Sequence, residues 1–179
     1  MAESFVNSLT RAAGIVSTST AGAIGVTTNL ITGISTVGVA VSDLVVNGNY
    51  ISGTKVTIIG VNSTTVDRDS TNEAAASSQT VTYLGPTTAY TSAAATKAIL
   101  IGGTFANNTN NEVELTVAVW DNSAATETAI ASKVPVPYGS SFVVSDAGKT
   151  VMEGDDQIRI YANSANAIDA TLSILKGVS

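Results

Sequence analysis

Hydrophobic and polar positions alternate with different periods in different parts of the chain. Over residues 3–14, "ESFVNSLTRAAG", Phe5, Leu9 and Ala12 or Ala13 recur at spacings of three and four, and Gly14 follows where a helix C-cap would sit. That spacing predicts a short N-terminal helix. A helix of about ten residues is marginal alone in water, so it must dock, on its own domain or on a neighbouring subunit. Residues 15–30, "IVSTSTAGAIGVTTNL", are rich in Gly, Ser and Thr with weak periodicity and read as an extended linker. From residue 31 the pattern is β. Val39, Val41 and Leu44 to Val46 read as strand residues before an Asn47–Gly48 turn. "GTKVTIIGV" and "TTVDR" flank Asn62 and Ser63 as a hairpin, and "QTVTYL" is a further strand before the Gly85–Pro86 break.

Beyond Thr96 the strand signals are denser. "KAILIGGTF" and "EVELTVAVW" flank "ANNTNN", whose Asn and Thr suit an Asx or left-handed turn. In "EVELTVAVW", Val113, Leu115, Val117 and Val119 alternate with Glu112, Glu114, Thr116 and Ala118, giving one buried and one wet face. "TETAIASKV" ends at Pro135 and Pro137, which cannot sit in a central ladder. "SSFVVS", "KTVME", "DQIRIYA" and "AIDATLSIL" complete the set. Short strands at intervals of about 8 to 12 residues predict a mainly β protein with an antiparallel sandwich or jelly roll. The implied organisation is a helical arm and linker over 1–26, a small β module over 27–85 and a sandwich over 86–179.

Composition changes the picture mainly at the surface. A chain of 179 residues buries roughly 70% of its unfolded surface, enough for a real core. Hydrophobic residues make up 44% and charged residues only 12%, so Ser and Thr dominate the polar positions. Hydroxyls cost less to desolvate than charges, and such a surface suits contact with other protein surfaces. The net charge is −6, and the eight Lys and Arg residues are scattered, which excludes a phosphate-tracking face and disfavours anionic membranes. No apolar run reaches the roughly 18 residues of a membrane span. The start "MAESFVNSLTR" has neither the basic nor the apolar region of an export signal, and the absence of Cys fits synthesis in a reducing cytosol.

Candidate chemistry is sparse. Without His or Cys there is no Ser/His/Asp constellation, no thiolate and no zinc site of the usual kind. "MEGDDQ" gathers Glu153, Asp155 and Asp156, but its spacing matches no calcium loop of about six oxygens, so a Gly-centred turn is expected. "VDRDS" reads as a solvated turn. Among 14 acidic residues a hydrolytic carboxylate pair is conceivable. Sugar sites, however, stack rings on aromatics, and Trp120 is the only Trp, at a strand end where a core-edge or interface residue is expected. "GGTF" and "GISTVG" lack the helix that a phosphate loop requires. These residues predict no enzyme, no cofactor and no metal.

Three stretches carry a resemblance: "AYTSAAATKAILIGGTFANNTN", "PVPYGSSFVVSDAGKTVMEGDDQIRIYA" and "ANAIDATLSIL". Tyr90-Thr91, Ala106-Asn107, Pro135 to Ser141, Lys149 to Asp155 and Ala167 to Leu175 resemble the turn and strand motifs of tailed-bacteriophage virion proteins, those of cyanophages especially. "SFVNSLTRAAGI" resembles the start of such proteins, and "GISTVGVAVSDLVVNGNYISGTKVTIIG" a second phage-associated β module, with Ser42 where Gly is commoner. The resemblance implies a virion structural role, assembled in the host cytoplasm: first a capsid decoration or accessory protein, alternatively a neck, collar, tail or fibre-base protein. A host-glycan-binding module is the alternative of another class. Its expected partners are itself, as a symmetric homo-oligomer such as a trimer, and other virion proteins such as the major capsid protein. Phe5, Leu9 and Trp120 are the candidate subunit-interface residues.

Overall fold

The computed structural model describes residues 3–145 and 149–178, with residues 15–20 described through backbone pairing alone. Fifteen strands are present and no helix among the described residues, so none is long and apolar enough to cross a membrane. The chain forms two compact units, one of residues 1–14 with 87–179 and one of residues 15–86. In chain order the second unit is inserted between the first and second strands of the first.

The expected N-terminal helix is a strand, β1 (Ser4–Ala13), and the expected linker contains another, β2 (Ile15–Ile24). Two effects explain the correction. Phe5 and Leu9 are an even number of residues apart, so they share a strand face as readily as a helix face. Ser, Asn, Thr, Phe and Val are also indifferent helix formers, and β15 (Ile168–Val178) offers β1 a complete antiparallel partner, from Ser4 opposite Lys176 to Thr10 opposite Ala170. Tertiary pairing therefore decides. Val39 and Val41 lie in turns, not in a strand.

The first unit has two antiparallel sheets. One orders β1-β15-β9-β12, with β13 also on β9; the other orders β11-β10-β14-β8. The strands are β8 (Thr87–Thr91), β9 (Lys97–Asn107), β10 (Val113–Asp121), β11 (Thr126–Val136), β12 (Ser141–Val144), β13 (Thr150–Met152) and β14 (Gln157–Ala162). Pairings are nested: β1 with β15, β8 with β14, β9 with β12 and β13, β10 with β11. One shared core lies between the sheets, with Leu100, Phe105, Leu172 and Ile174 from one and Leu115, Val117, Ile158 and Ile160 from the other. Burying each such side chain stabilises by about 1.5–3 kcal/mol. Pro135 is accommodated because β11 is an edge strand, where a missing N–H breaks no central ladder. The unit leaves the chain path at Gly14, whose φ of +101° favours glycine and whose carbonyl accepts from Asn166 N–H.

The second unit is a six-stranded antiparallel sheet ordered β4-β7-β2-β3-β6-β5, with β3 (Leu30–Thr32), β4 (Leu44–Val46), β5 (Val56–Gly60), β6 (Ser63–Val66) and β7 (Ala76–Gly85). Val45 N–H donates to the Thr54 carbonyl and Val56 N–H to that of Asp43, joining the ends of the order and closing the sheet into a small barrel. Its core holds Ile24, Ile31, Val56, Val81 and Tyr83. The Tyr83 hydroxyl meets Thr64 Oγ1 at 2.8 Å inside, and the Tyr50 hydroxyl donates to the Thr28 carbonyl.

Candidate interaction surfaces

Along β9, "KAILIGGTFAN", apolar residues sit on both faces. Ala98, Leu100 and Phe105 enter the core, while Ile99 and Ile101 are half-buried on the other side. A strand apolar on both faces is the pattern of a sheet covered on both sides. Its partners continue the pattern. Phe5 lies opposite Leu175, Leu175 opposite Ile99, and Ile99 opposite Val151, forming an apolar row across four strands on the outward face. A second row runs Leu9, Thr171, Thr104, Val143, and between the two lie Asn7 and Ser173. Phe5 is 75% exposed and Leu9 72%, with Val143 and Val151 also exposed.

No charge interrupts these rows. Asp169 lies beyond them, accepting from Ala12 N–H at 2.8 Å and from Asn108, and Lys97 is held 3.0 Å from Glu153. With strands about 4.8 Å apart and about 3.4 Å of rise per residue, the rows cover on the order of 300 Å². Apolar residues share that area with the uncharged Thr171, Thr104, Asn7 and Ser173, and its size matches the largest apolar patches of typical monomers, which are often functional. Phe5 and Leu9, chosen from the sequence as interface residues, are thus brought together, on a strand face and not a helix face.

Trp120 is not with them. It lies at the end of β10 on the outward side of the other sheet, opposite Glu127 of β11 and Gln157 of β14. The Arg159 guanidinium stacks 4.1 Å from its ring centroid and lies 3.8 Å from Glu127 Oε2. Beneath them the Tyr161 hydroxyl donates to Glu127 Oε2 at 2.5 Å, with the residue only 1% exposed. Burial, then the Glu127 hydrogen bond and charge, push the Tyr161 phenol far above its ordinary range. It is a neutral donor throughout the physiological range. Arg159 Nε also donates to Gln157, so the cluster is internally satisfied and acts as a polar cover over Tyr161. Sequence reasoning found Trp120 and missed Glu127, Arg159 and Tyr161. Their strands were legible, but the register that unites them was not.

The "MEGDDQ" segment is the expected turn, with a buried carboxylate at its end. Asp156 Oδ1 accepts from Asn122 N–H at 3.0 Å and Oδ2 from Glu153 N–H at 2.8 Å. Its carbonyl accepts from Ser92 N–H, and the Ser92 hydroxyl donates to the Glu153 carbonyl. Gly154 is required because a Cβ there would sit 2.6 Å from Ala95 N. Among the described residues no group of three or more Asp or Glu side chains is placed to hold a metal ion. In "VDRDS", Asp67 accepts from Lys55 N–H and pairs with Arg68 at 3.7 Å, both partly exposed. In "ANNTNN", Asn107 Oδ1 accepts from Thr109 N–H as an Asx turn, while Nδ2 donates to the Asn111 and Val136 carbonyls.

The barrel unit carries apolar surface that sequence reasoning missed. The hairpin β5–β6 exposes Ile58, Ile59 and, at its tip, Val61, which is 92% exposed. The adjacent apolar pair Ile58 and Ile59 in "VTIIGV" held that signal, since a half-buried hairpin would alternate. A shallow depression of about 520 Å³, bounded by Ile24, Thr28, Leu30, Thr32 and Ser77 among others, has no ionisable side chain in its lining. No protein-family model, no curated protein and no solved structure matches the chain.

Proposed function

We propose that this protein is a non-enzymatic structural component of a tailed-bacteriophage virion, acting as a decoration or accessory protein on the capsid exterior. The observation that carries the reading is the outward face of the five-stranded sheet, where Phe5, Leu175, Ile99 and Val151 form a row without a charge whose two ends, Phe5 and Val151, are exposed while Leu175 and Ile99 are half-buried. Covering Phe5 or Leu9 is worth about 1.5–3 kcal/mol each, so a protein that leaves both in water has a use for them in contact. The nested pairing supports the same reading. Counting β12 and β13 as one, it is the order made by rolling up a long antiparallel hairpin, and we read the first unit as a jelly roll, an architecture used in viral capsid domains. That support is analogy of fold, whereas the apolar face is a property of this chain. The glycan-binding alternative draws less support, because one face of the only Trp is already covered by Arg159.

The test is the copy number of the chain in purified particles, by gel densitometry. Hundreds of copies per particle are expected for a head protein. A dozen or fewer would move it to the neck or tail, and absence from finished particles would overturn the virion role.

A further inference from the structure

The two sheets of the first unit have four borders, formed by β1, by β12 with β13, by β11 and by β8, and three of these borders are blunted against further pairing. β11 carries Pro135 and, at a register shift, Lys133 with a positive φ of 52°. β12 and β13 are only four and three residues long. β8 is five residues long and follows Pro86. β1 is different. It runs ten residues, contains neither Pro nor Lys, and pairs regularly with β15 from Ser4 to Thr10, its irregularity falling only beyond Thr10. Its inward hydroxyl at Ser8 donates to the Ala89 carbonyl of β8, and among the described residues its own second edge carries no strand. A long edge strand with exposed apolar side chains, regularly paired on its other side, is a template for another strand.

The sequence of that edge names the strand that fits. Residues Glu3, Phe5, Asn7, Leu9 and Arg11 are all exposed, and read in either direction they run charged, apolar, amide, apolar, charged. We propose that two copies of this protein join β1 to β1, antiparallel about a two-fold axis at Asn7, to make one continuous sheet. In that register Asn7 faces Asn7 of the second copy, Phe5 faces its Leu9, and Glu3 faces its Arg11. Two apolar pairs and two opposite-charge pairs form at once, each self-complementary as a two-fold interface requires. Sliding by two residues sets Phe5 against Asn7 or Arg11, and parallel pairing sets Glu3 against Glu3. Among the described residues neither Glu3 nor Arg11 is held in an ion pair within its own chain. The apolar row ending at Phe5 then continues through Leu9 of the second copy, doubling the uncharged face.

This inference rests on the reading of that face as a contact surface. Its test separates the two. The full chain should sediment as a dimer or a multiple of dimers. Glu3→Arg alone, or Arg11→Glu alone, places like charges opposite each other twice per dimer and should raise the dissociation constant about tenfold or more. Combining both changes should restore wild-type association. Because the chain has no Cys, register is read by cross-linking. Directly opposed residues lie about 4.5–5.5 Å apart at Cα, within disulfide reach, so oxidised Asn7→Cys should form a covalent dimer. Phe5→Cys alone should not, whereas Phe5→Cys mixed with Leu9→Cys should. Each site is exposed, and circular dichroism checks that every variant is folded. A monomeric or trimeric wild type, a double charge swap that fails to restore association, or cross-linking of Phe5→Cys to itself overturns the proposal. If the chain is present in particles but fails these tests, the seam falls and the virion role stands. If the seam forms but particles lack the chain, the reverse holds.

Discussion

Asp156 is the residue whose removal tests most directly how the loops of the first unit are held. It is nearly buried, and each carboxylate oxygen accepts a backbone N–H from a different turn, Asn122 after β10 and Glu153 before β14. Asp156→Ala leaves both donors without a partner. A hydrogen bond to a charged group contributes about 1.5–3 kcal/mol, and an orphaned donor costs about as much as the bond gave. Relief from burying the carboxylate offsets part of that, so the expected loss is about 3 kcal/mol. Asp156→Asn keeps one acceptor but turns an amide toward the other N–H, so about half the loss is expected. Urea unfolding followed by tryptophan fluorescence is a clean assay, because the only Trp belongs to the first unit and is blind to the barrel. An Asp156→Ala variant within about 0.5 kcal/mol of wild type, at unchanged slope, would refute the bracing role and return the segment to an ordinary solvated turn.

Further outcomes are expected elsewhere. Tyr83→Phe leaves Thr64 Oγ1 buried without its 2.8 Å partner and should destabilise the barrel by about 1–3 kcal/mol. A far-UV dichroism transition should shift while Trp120 fluorescence stays unchanged. Burial, followed by the charges of Tyr83 and Asp69, pushes the Tyr50 phenol from 10.0 up to about 12. A raised acid binds its proton more tightly when folded, so this stability is fully present below pH 10.0 and is lost as pH rises toward about 12. Barrel stability measured against alkaline pH should fall in that window, and Tyr50→Phe should flatten the fall. Gly154→Ala brings a Cβ against the Ala95 backbone nitrogen and should cost the first unit about 1–3 kcal/mol in the urea assay. An unchanged midpoint would show that the turn relaxes.

Where strand alternation was strong, local sequence was enough. "EVELTVAVW", "DQIRIYA" and "AIDATLSIL" each have one face that must leave water, and each is a strand of the first unit. The Asn62 turn and the Asn107 Asx turn were legible because those residues carry their own backbone chemistry. The N-terminus was not legible. A four-residue interval fits both a helix and a strand, and only the partner β15, some 160 residues away along the chain, selects the strand. For "IVSTSTAGAI" the sequence offers no amphipathic stripe, and pairing with β7 and β3 makes it a strand in the middle of the barrel sheet.

Sequence by itself thus determined the class: β-rich, poor in charge, lacking His and Cys, with its turns marked by Asn, Gly, Asp and Pro. Tertiary structure alone decided which residues meet. Cross-strand register sets Phe5, Leu175, Ile99 and Val151 in one row and gathers Trp120, Glu127, Arg159 and Tyr161 in another place. The physical reason is that a strand's own periodicity fixes which face a side chain takes, whereas its neighbours on that face come from segments whose pairing is set by the energy of the whole core.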